Sequence, residues 1–367
     1  MGASLTRPAL RLDGGAPYRR LVGVGGIGTG TFFALDGDHD LGRNESRPAR
    51  LLDVRDYCKL HIIAHYPAVL LGAQAGGEPF HVLPIGKVGR DDPGRGLRAT
   101  MEAAGMDLRF VGEVAGRPTL QSVCFQYPDG SGGNITTRDS AAATLTTADV
   151  VAGAELLDGR AIALAAPEAP LEARHDFLRL AGARGALRVA GLASAEMPEA
   201  HRMGLFAHVD LLALNQDEAE ALAQAPFDLG SPEAFLVLCA DRLTAAQPAV
   251  RIAVTAGRNG AFGFERGRWV HVPALDVPVA STAGAGDALL GGVLTALALG
   301  VPFTAPDSRG RSLPDGPITS ALEFGVLLSA FKVTSPHTIH PDADLTHLLA
   351  FAREHGVSLG NGFGAME

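Results

Sequence analysis

The stretch "VPVASTAGAGDALLGGVLTALALG" at residues 277–300 holds the residues best placed to do chemistry. Its spacing predicts a strand ending near Ala280, a turn through Gly284, Ala285 and Gly286, and then a helix. Leu289, Leu290, Val293, Leu294 and Leu297 would form the apolar face of that helix, and Gly300 and Pro302 would end it. A Gly-rich turn at a helix start leaves N–H groups without partners at the positive end of the helix dipole. Such a site holds anions, phosphate oxygens above all. Asp287 would face whatever anion is held. Spacing alone leaves two readings open: a first-turn acid that suits the dipole, or a base that takes a proton from a hydroxyl attacking a bound phosphate.

A second glycine pattern lies near the N-terminus. "LVGVGGIGTGTFF" at residues 21–33 contains Gly23, Gly25 and Gly28 as G-x-G-x-x-G, the pattern of a dinucleotide-binding turn. That turn needs a helix behind it, then a second strand with an acidic residue. Here Gly37, Asp38, Asp40, Gly42, Asn44 and Pro48 follow with no helical period, and no apolar strand leads into Glu45. A Gly-rich exit from a first buried strand fits better than a dehydrogenase.

The elements that must position these residues are clearest from residue 159 onward. Short apolar runs ("RAIALAAP", "ALRVAGLA", "VDLLALN", "AVRIAVTAG") alternate with helical spacings ("LEARHDFLRLAGARG", "EMPEAHRMGLFAH", "QDEAEALAQ"). This predicts a doubly wound α/β fold with a mostly parallel sheet covered on both faces. "GAFGFERGRWVHVPAL" reads as a hairpin turning at Arg266 and Gly267. Residues 31–56 and 113–137 are β-like and turn-rich, and would form a small β appendage outside the main sheet.

Composition sets the class. The chain has 367 residues, 47% apolar and 19% charged, which suits a compact globular protein. A net charge of −9 argues against nucleic acid as the main partner. No apolar run reaches membrane-spanning length, and the N-terminus lacks the apolar core of a signal peptide. Cys58, Cys124 and Cys239 are widely spaced and odd in number, which predicts reduced thiols and a cytoplasmic setting.

"STAGAGDALLGG" resembles the C-terminal signature of the ribokinase-like (PfkB) carbohydrate kinases, close to D-T-x-G-A-G-D. Further stretches match that family in order: "PIGKVGRDDPG" (84–94), "LLALNQDEAEAL" (211–222), "AVTAGRNGAFGF" (253–264) and "EFGVLLSAFKVTSPH" (323–337). The resemblance implies one ribokinase-like kinase domain over about residues 18–350, with the two appendage segments as its lid. Residues 1–17 would be an extension and 351–367 a tail. It implies ATP-dependent phosphorylation of a hydroxyl on a small molecule, a sugar or sugar derivative. Asp287 would be the base, and Gly284, Ala285 and Gly286 the anion hole. Asn215 and Glu218 would act near Mg²⁺ and the phosphates through water. Thr255, Gly257 and Thr282 would lie at the nucleotide, with Val326, Ser329 and Ala330 beside the adenine. Some members hold K⁺ through backbone oxygens near the position of Ser281, which here replaces the first Asp of the signature. The implied partner is a small-molecule acceptor, with neither nucleic acid nor membrane. The lids of such proteins often pair into homodimers.

The acceptor half departs from the family. Gly30 stands where its members usually keep a sugar-binding Asp. "CKLHII" (58–63) replaces the G-G-x-x-x-N motif, and Pro67 falls inside the helix expected there, which predicts a kink or a late start. Lys59 and His61 occupy the displaced motif, with Arg43, Asn44, Arg47, Arg50 and Arg55 in the adjoining lid segment. These charges either grip an anionic acceptor or form a solvated lid face. His61 and His65 have the i, i+4 spacing of a helical metal pair, but no third ligand follows, so pocket or core histidines fit better. Two alternatives stay open: a nucleotide-binding family member without kinase activity, or a kinase for a nucleoside or other small alcohol.

Overall fold

The computed structural model describes residues 8–128, 132–227, 230–305 and 310–364. Its strands are β1 (Arg20–Val24), β2 (Gly28–Leu35), β3 (Ala49–Tyr57), β4 (His81–Gly89), β5 (Phe110–Val114), β6 (Leu120–Gln126), β7 (Gly132–Thr136), β8 (Ala161–Ala165), β9 (Leu187–Gly191), β10 (Leu211–Asn215), β11 (Arg251–Thr255), β12 (Ala261–Glu265) and β13 (Arg268–Val272). Its helices are α1 (Lys59–Leu70), α2 (Asp92–Ala103), α3 (Thr147–Ala154), α4 (Leu171–Ala183), α5 (Met197–Arg202), α6 (Gln216–Ala223), α7 (Pro232–Thr244), α8 (Ala285–Ala298), α9 (Ala321–Val333) and α10 (Leu345–Glu354).

Nine strands form the main sheet in the order β13-β12-β11-β10-β9-β8-β1-β4-β5, parallel except for the β12–β13 edge. The interior strand β8, "AIALA", is buried along its whole length, because parallel strands are covered on both faces. Leu21 joins one core, with α1, α8, α9 and α10, while Val22 and Val24 join the other, with α3 to α7. The strand alternation thus feeds two helix layers. The hairpin turn takes positive φ at both Arg266 and Gly267, as a tight two-residue turn requires.

The lid is a separate four-stranded sheet, β3-β2-β6-β7. It contains both segments expected outside the main sheet, except that β5 joins the main sheet edge. Part of the β6–β7 connection, residues 129–131, lies outside the described residues. β2 leaves β1 through the Gly25–Ile27 turn, so the lid hinges directly on the first core strand.

The N-terminal glycines serve packing. A Cβ on Gly25 would lie 2.9 Å from both Leu60 Cβ and Ala166 Cβ, and one on Gly26 would lie 2.5 Å from Glu168 Cβ. They let the β1 exit slide between α1 and the segment after β8. A strand, not a helix, follows, and no dinucleotide cradle forms.

Two local expectations change. No strand forms before Ala280; Pro273 and Pro278 lack N–H donors, and the segment is held instead by Ala280 N–H donating to Val333 O at 2.8 Å. The displaced α1 starts at Lys59 and runs through Pro67 without a late start. The three cysteines are free thiols, with Cys58 and Cys239 buried.

Candidate active site

The carboxyl ends of β10 and β11 and the start of α8 surround a cavity of about 670 Å³. Open α/β sheets bind ligands at such carboxyl ends. The Gly-rich turn forms one wall. Gly284 takes φ 78°, a left-handed conformation, and N-caps α8. Ala285 N–H closes back onto Thr282 O at 3.0 Å. Among the described residues, no protein group accepts from the N–H groups of Gly284, Gly286 and Asp287. These three donors, rather than Ala285, are left to hold an anion at the helix start.

α8 is held firmly behind this turn. It crosses α9 where two glycines meet: a Cβ on Gly292 would lie 2.9 Å from Gly325 Cα. The loop before it is tied to the end of α9, where Lys332 Nζ donates to Ser281 O at 3.0 Å. Lys332 is fully buried, and burial pulls its pKa down to about 8 against the attraction of Asp287 and Asp56.

Lys59, Asn215, Glu218 and Asp287 meet at the cavity floor. Asn215 caps α6 reciprocally with Glu218: Glu218 N–H donates to Asn215 Oδ1 at 2.8 Å, and Asn215 N–H donates to Glu218 Oε2 at 2.9 Å. Glu218 Oε1 accepts from Lys59 Nζ at 2.8 Å. Burial works against the Lys59 ammonium, but Asp287, Glu218 and Glu168 outweigh it and hold it charged, above the usual lysine range. Asp287 is pushed up to about 7, first by burial; Lys59 opposes this, while Glu168, Glu218 and Asp56 add to it. A carboxyl poised near neutrality beside open N–H donors can accept a proton while an anion is held next to it.

The rest of the cavity is lined by Thr255, Gly257, Thr282, Val326, Ser329 and Ala330, so the residues expected at a nucleotide converge there. Thr255 ends β11, and Gly257 begins the turn after it with φ 54°. α9 supplies the apolar wall.

The acceptor side divides. Lys59 reaches the cavity, but His61 does not. It is fully buried against the Tyr57 ring (centroids 4.4 Å apart), with no hydrogen bond at either ring nitrogen, and burial keeps it neutral. Arg43 and Asn44 are exposed in the β2–β3 loop, and Arg50 and Arg55 are exposed on the lid. Arg47 pairs with Glu45 at 2.6 Å. Arg43, Arg50 and Arg55 are thus solvated, whereas the Arg47 side chain is packed down and its charge is taken up by Glu45. Gly30 lies on β2 opposite Asp56.

Two carboxylates near the site escape a reading of spacing. Glu168 follows β8 at φ 70° and accepts Lys59 N–H at 3.1 Å. Burial raises its pKa, and the hydrogen bonds from Cys58 and Lys59 oppose this. Asp56, on β3, is pushed up to about 6 by burial and by Glu168. Only the pairing of "AAPEAP" with Lys59, or of Gly30 with Asp56, would have revealed them.

A family model described as pfkB family carbohydrate kinase matches residues 69–344. The structure is similar to ribokinase of Cryptococcus neoformans var. grubii in complex with ADP, at TM-score 0.68 and 21% identity, over 92% of this chain and 99% of that one. It is similar to ribokinase of Thermotoga maritima, at TM-score 0.65 and 20% identity, over 92% and 100%. It is also similar to a nucleoside kinase of Burkholderia thailandensis in complex with inosine, at TM-score 0.66 and 16% identity, over 92% and 99%. The match to the family model spans most of the chain, and it carries the glycine turn, Asp287 and both cavity-lining strands. The chain therefore belongs to the pfkB family of carbohydrate kinases, phosphotransferases with an alcohol group as acceptor.

Proposed function

We propose that this protein transfers the γ-phosphoryl group of ATP to a hydroxyl of a sugar or sugar derivative, with Asp287 as general base. One observation carries the reading: the Asp287 carboxyl shares the first turn of α8 with N–H groups that have no protein acceptor among the described residues. The hydroxyl proton passes to Asp287 as the hydroxyl oxygen bonds to phosphorus and the bridging oxygen leaves with ADP. The N–H groups of Gly284, Gly286 and Asp287 face the charge that builds on the transferring group. Lys59, fixed by Glu218, adds positive charge beside it.

The residues present fit ATP and Mg²⁺. ATP would supply the phosphoryl group, its base against Val326, Ser329 and Ala330. The Glu218 and Asn215 oxygens already accept protein hydrogen bonds but keep lone pairs, which suits a hydrated ion held through water. No cluster of three metal-ligating side chains exists among the described residues, so the phosphates would supply the remaining ligands. Ser281 O already serves Lys332, whose ammonium supplies fixed positive charge where a K⁺ ion could act.

No helix among the described residues is long and apolar enough to cross a membrane. Leu51, Val123 and Ile135 are exposed on one face of the lid, at 63%, 40% and 69%, which supports a homodimer formed through it.

Two measurements test the reading. ATP with MgCl₂ is expected to raise the melting temperature and NAD is not, since only a ligand that binds the folded state stabilises it. EDTA is expected to abolish transfer to every acceptor. Stabilisation by NAD alone would sink the proposal, and phosphoryl transfer to any metabolite would eliminate a binding-only protein. The second measurement is the pH profile. The base must be deprotonated, and burial holds its proton up to about pH 7. The rate is therefore expected to fall tenfold per pH unit below about 7 and to level off above it. A flat profile from about pH 5.5 to 8.5 would remove Asp287 from the base role.

A further inference from the structure

We propose that Asp56 is the specificity-determining carboxylate of the acceptor site, reaching from β3 into the space that Gly30 leaves open on β2, and that it selects a neutral polyhydroxylated acceptor over an anionic one. This rests on the kinase reading and assigns the part of the site that the family signature leaves blank.

Register supplies the geometry. Gly30 pairs with Asp56 across the β2–β3 ladder, and the pairing then shifts to Phe32 with Leu52, so β3 bulges beside Asp56. A Cβ on Gly30 would lie 2.0 Å from Asp56 Oδ2. The carboxylate therefore occupies the space a side chain at residue 30 would need. A side chain at residue 30 would have to push that carboxylate aside.

The strand is anchored where this matters. Tyr57 N–H donates to Thr338 Oγ1 at 3.0 Å, and Thr338 N–H donates to Arg55 O at 3.1 Å. Thr338 also packs on the phosphate turn, since a Cβ on Gly284 would lie 2.6 Å from Thr338 O. One residue thus fixes Asp56 relative to the start of α8. Asp56 is close enough to Glu168, Asp287 and Lys332 to interact electrostatically with each.

Chemistry then sets the acceptor. Asp56 can only accept when ionised, so it matches hydroxyl donors on the acceptor. A phosphate or carboxylate on the acceptor would meet like charge. Of the lid arginines, Arg47 is paired to Glu45, and Arg43, Arg50 and Arg55 are exposed; Arg50, opposite Ala34, shares the lid face of Asp56 but lies six residues before it on β3.

Wild type, Asp56→Ala and Asp56→Gly/Gly30→Asp are assayed with ATP and MgCl₂ on ribose, fructose and inosine, and on ribose 5-phosphate and gluconate. We expect transfer to a neutral acceptor. Asp56→Ala should raise its KM about 10- to 100-fold, as the loss of a charge-assisted hydrogen bond does, with the KM for ATP nearly unchanged. The double variant, with the carboxylate moved to the facing strand, should recover most of that loss. Preferred transfer to ribose 5-phosphate or gluconate, or an unchanged KM in Asp56→Ala, overturns the proposal while leaving the kinase reading intact. No transfer to any compound sinks the kinase reading instead. Thermal stability then decides the Asp56 assignment independently of activity. Gly30→Ala should lower the melting temperature in wild type but not in the Asp56→Ala background; an equal drop in both overturns it.

Discussion

Asp287→Asn is expected to lower kcat by about 10²- to 10⁴-fold, the range that a positioned general base contributes, while leaving the ATP–Mg²⁺ stabilisation in place. The N–H groups that would hold the phosphates are backbone and survive the change. The amide is nearly the same shape, so the first turn of α8 keeps its geometry. Stability supplies the control. The folded pKa of this carboxyl, about 7, lies above its ordinary value of 3.8. The folded state therefore binds the proton more tightly than the unfolded chain does. Linkage makes that a loss of stability as pH rises from about 4 to 7, complete above the folded pKa. The neutral amide avoids this loss, so at pH 8 the variant is expected to melt no lower than wild type. A dead enzyme that is at least as stable separates lost chemistry from a damaged fold. Wild-type turnover in Asp287→Asn would end the base assignment, and a large drop in melting temperature would mean that the carboxylate is structural.

The parts of this site that spacing revealed are those built within one segment. The turn through Gly284 and Gly286 ahead of Asp287 depends on neighbours a few residues away, whereas Asn215, Glu218 and Gly257 are singled out only by the family resemblance. The alternation of strand and helix was equally legible, because parallel strands such as β8 are apolar at every position and their helices show one apolar face. What stayed hidden is carried by pairing between distant segments. Asp56 looks like one more polar residue on an alternating lid strand until the register sets it against Gly30. Glu168 gains meaning only when Lys59, more than a hundred positions earlier, donates its N–H to it. Lys332 at the end of α9 is fully buried, and its ammonium donates to Ser281 O, 51 positions earlier. The strand expected before Ala280 fails for a related reason. Val277 and Val279 have β-forming side chains, but Pro278 between them removes a ladder donor, and the end of α9 captures Ala280 N–H instead.

Gly284→Ala is the second substitution with a large expected effect, because it puts a side chain on a crowded left-handed turn. At φ 78° an L side chain costs roughly 1–2 kcal/mol. The new Cβ would also meet Thr338 O at 2.6 Å, a backbone atom that cannot yield freely because Thr338 N–H is bonded to Arg55 O. The turn must move, and with it the N–H groups of Gly286 and Asp287. Misplacing such donors costs about 10²- to 10³-fold in kcat. The lid should feel the change too, since Thr338 also holds Tyr57, next to Asp56; the acceptor KM is expected to rise along with the fall in kcat. Gly300 provides the comparison. It ends α8 at φ 89°, and its nearest obstacle is Pro17 Cδ at 3.3 Å, away from the cavity. Gly300→Ala carries a similar backbone cost and should lower the melting temperature while leaving kcat within about twofold of wild type. Gly286→Ala should be milder than Gly284→Ala, because its Cβ finds only an ordinary contact with Thr255 Oγ1 at 3.6 Å and its φ is not left-handed. The ranking Gly284→Ala far below Gly286→Ala in kcat follows from that geometry. Equal activities for the two would show that the anion site does not depend on the left-handed turn.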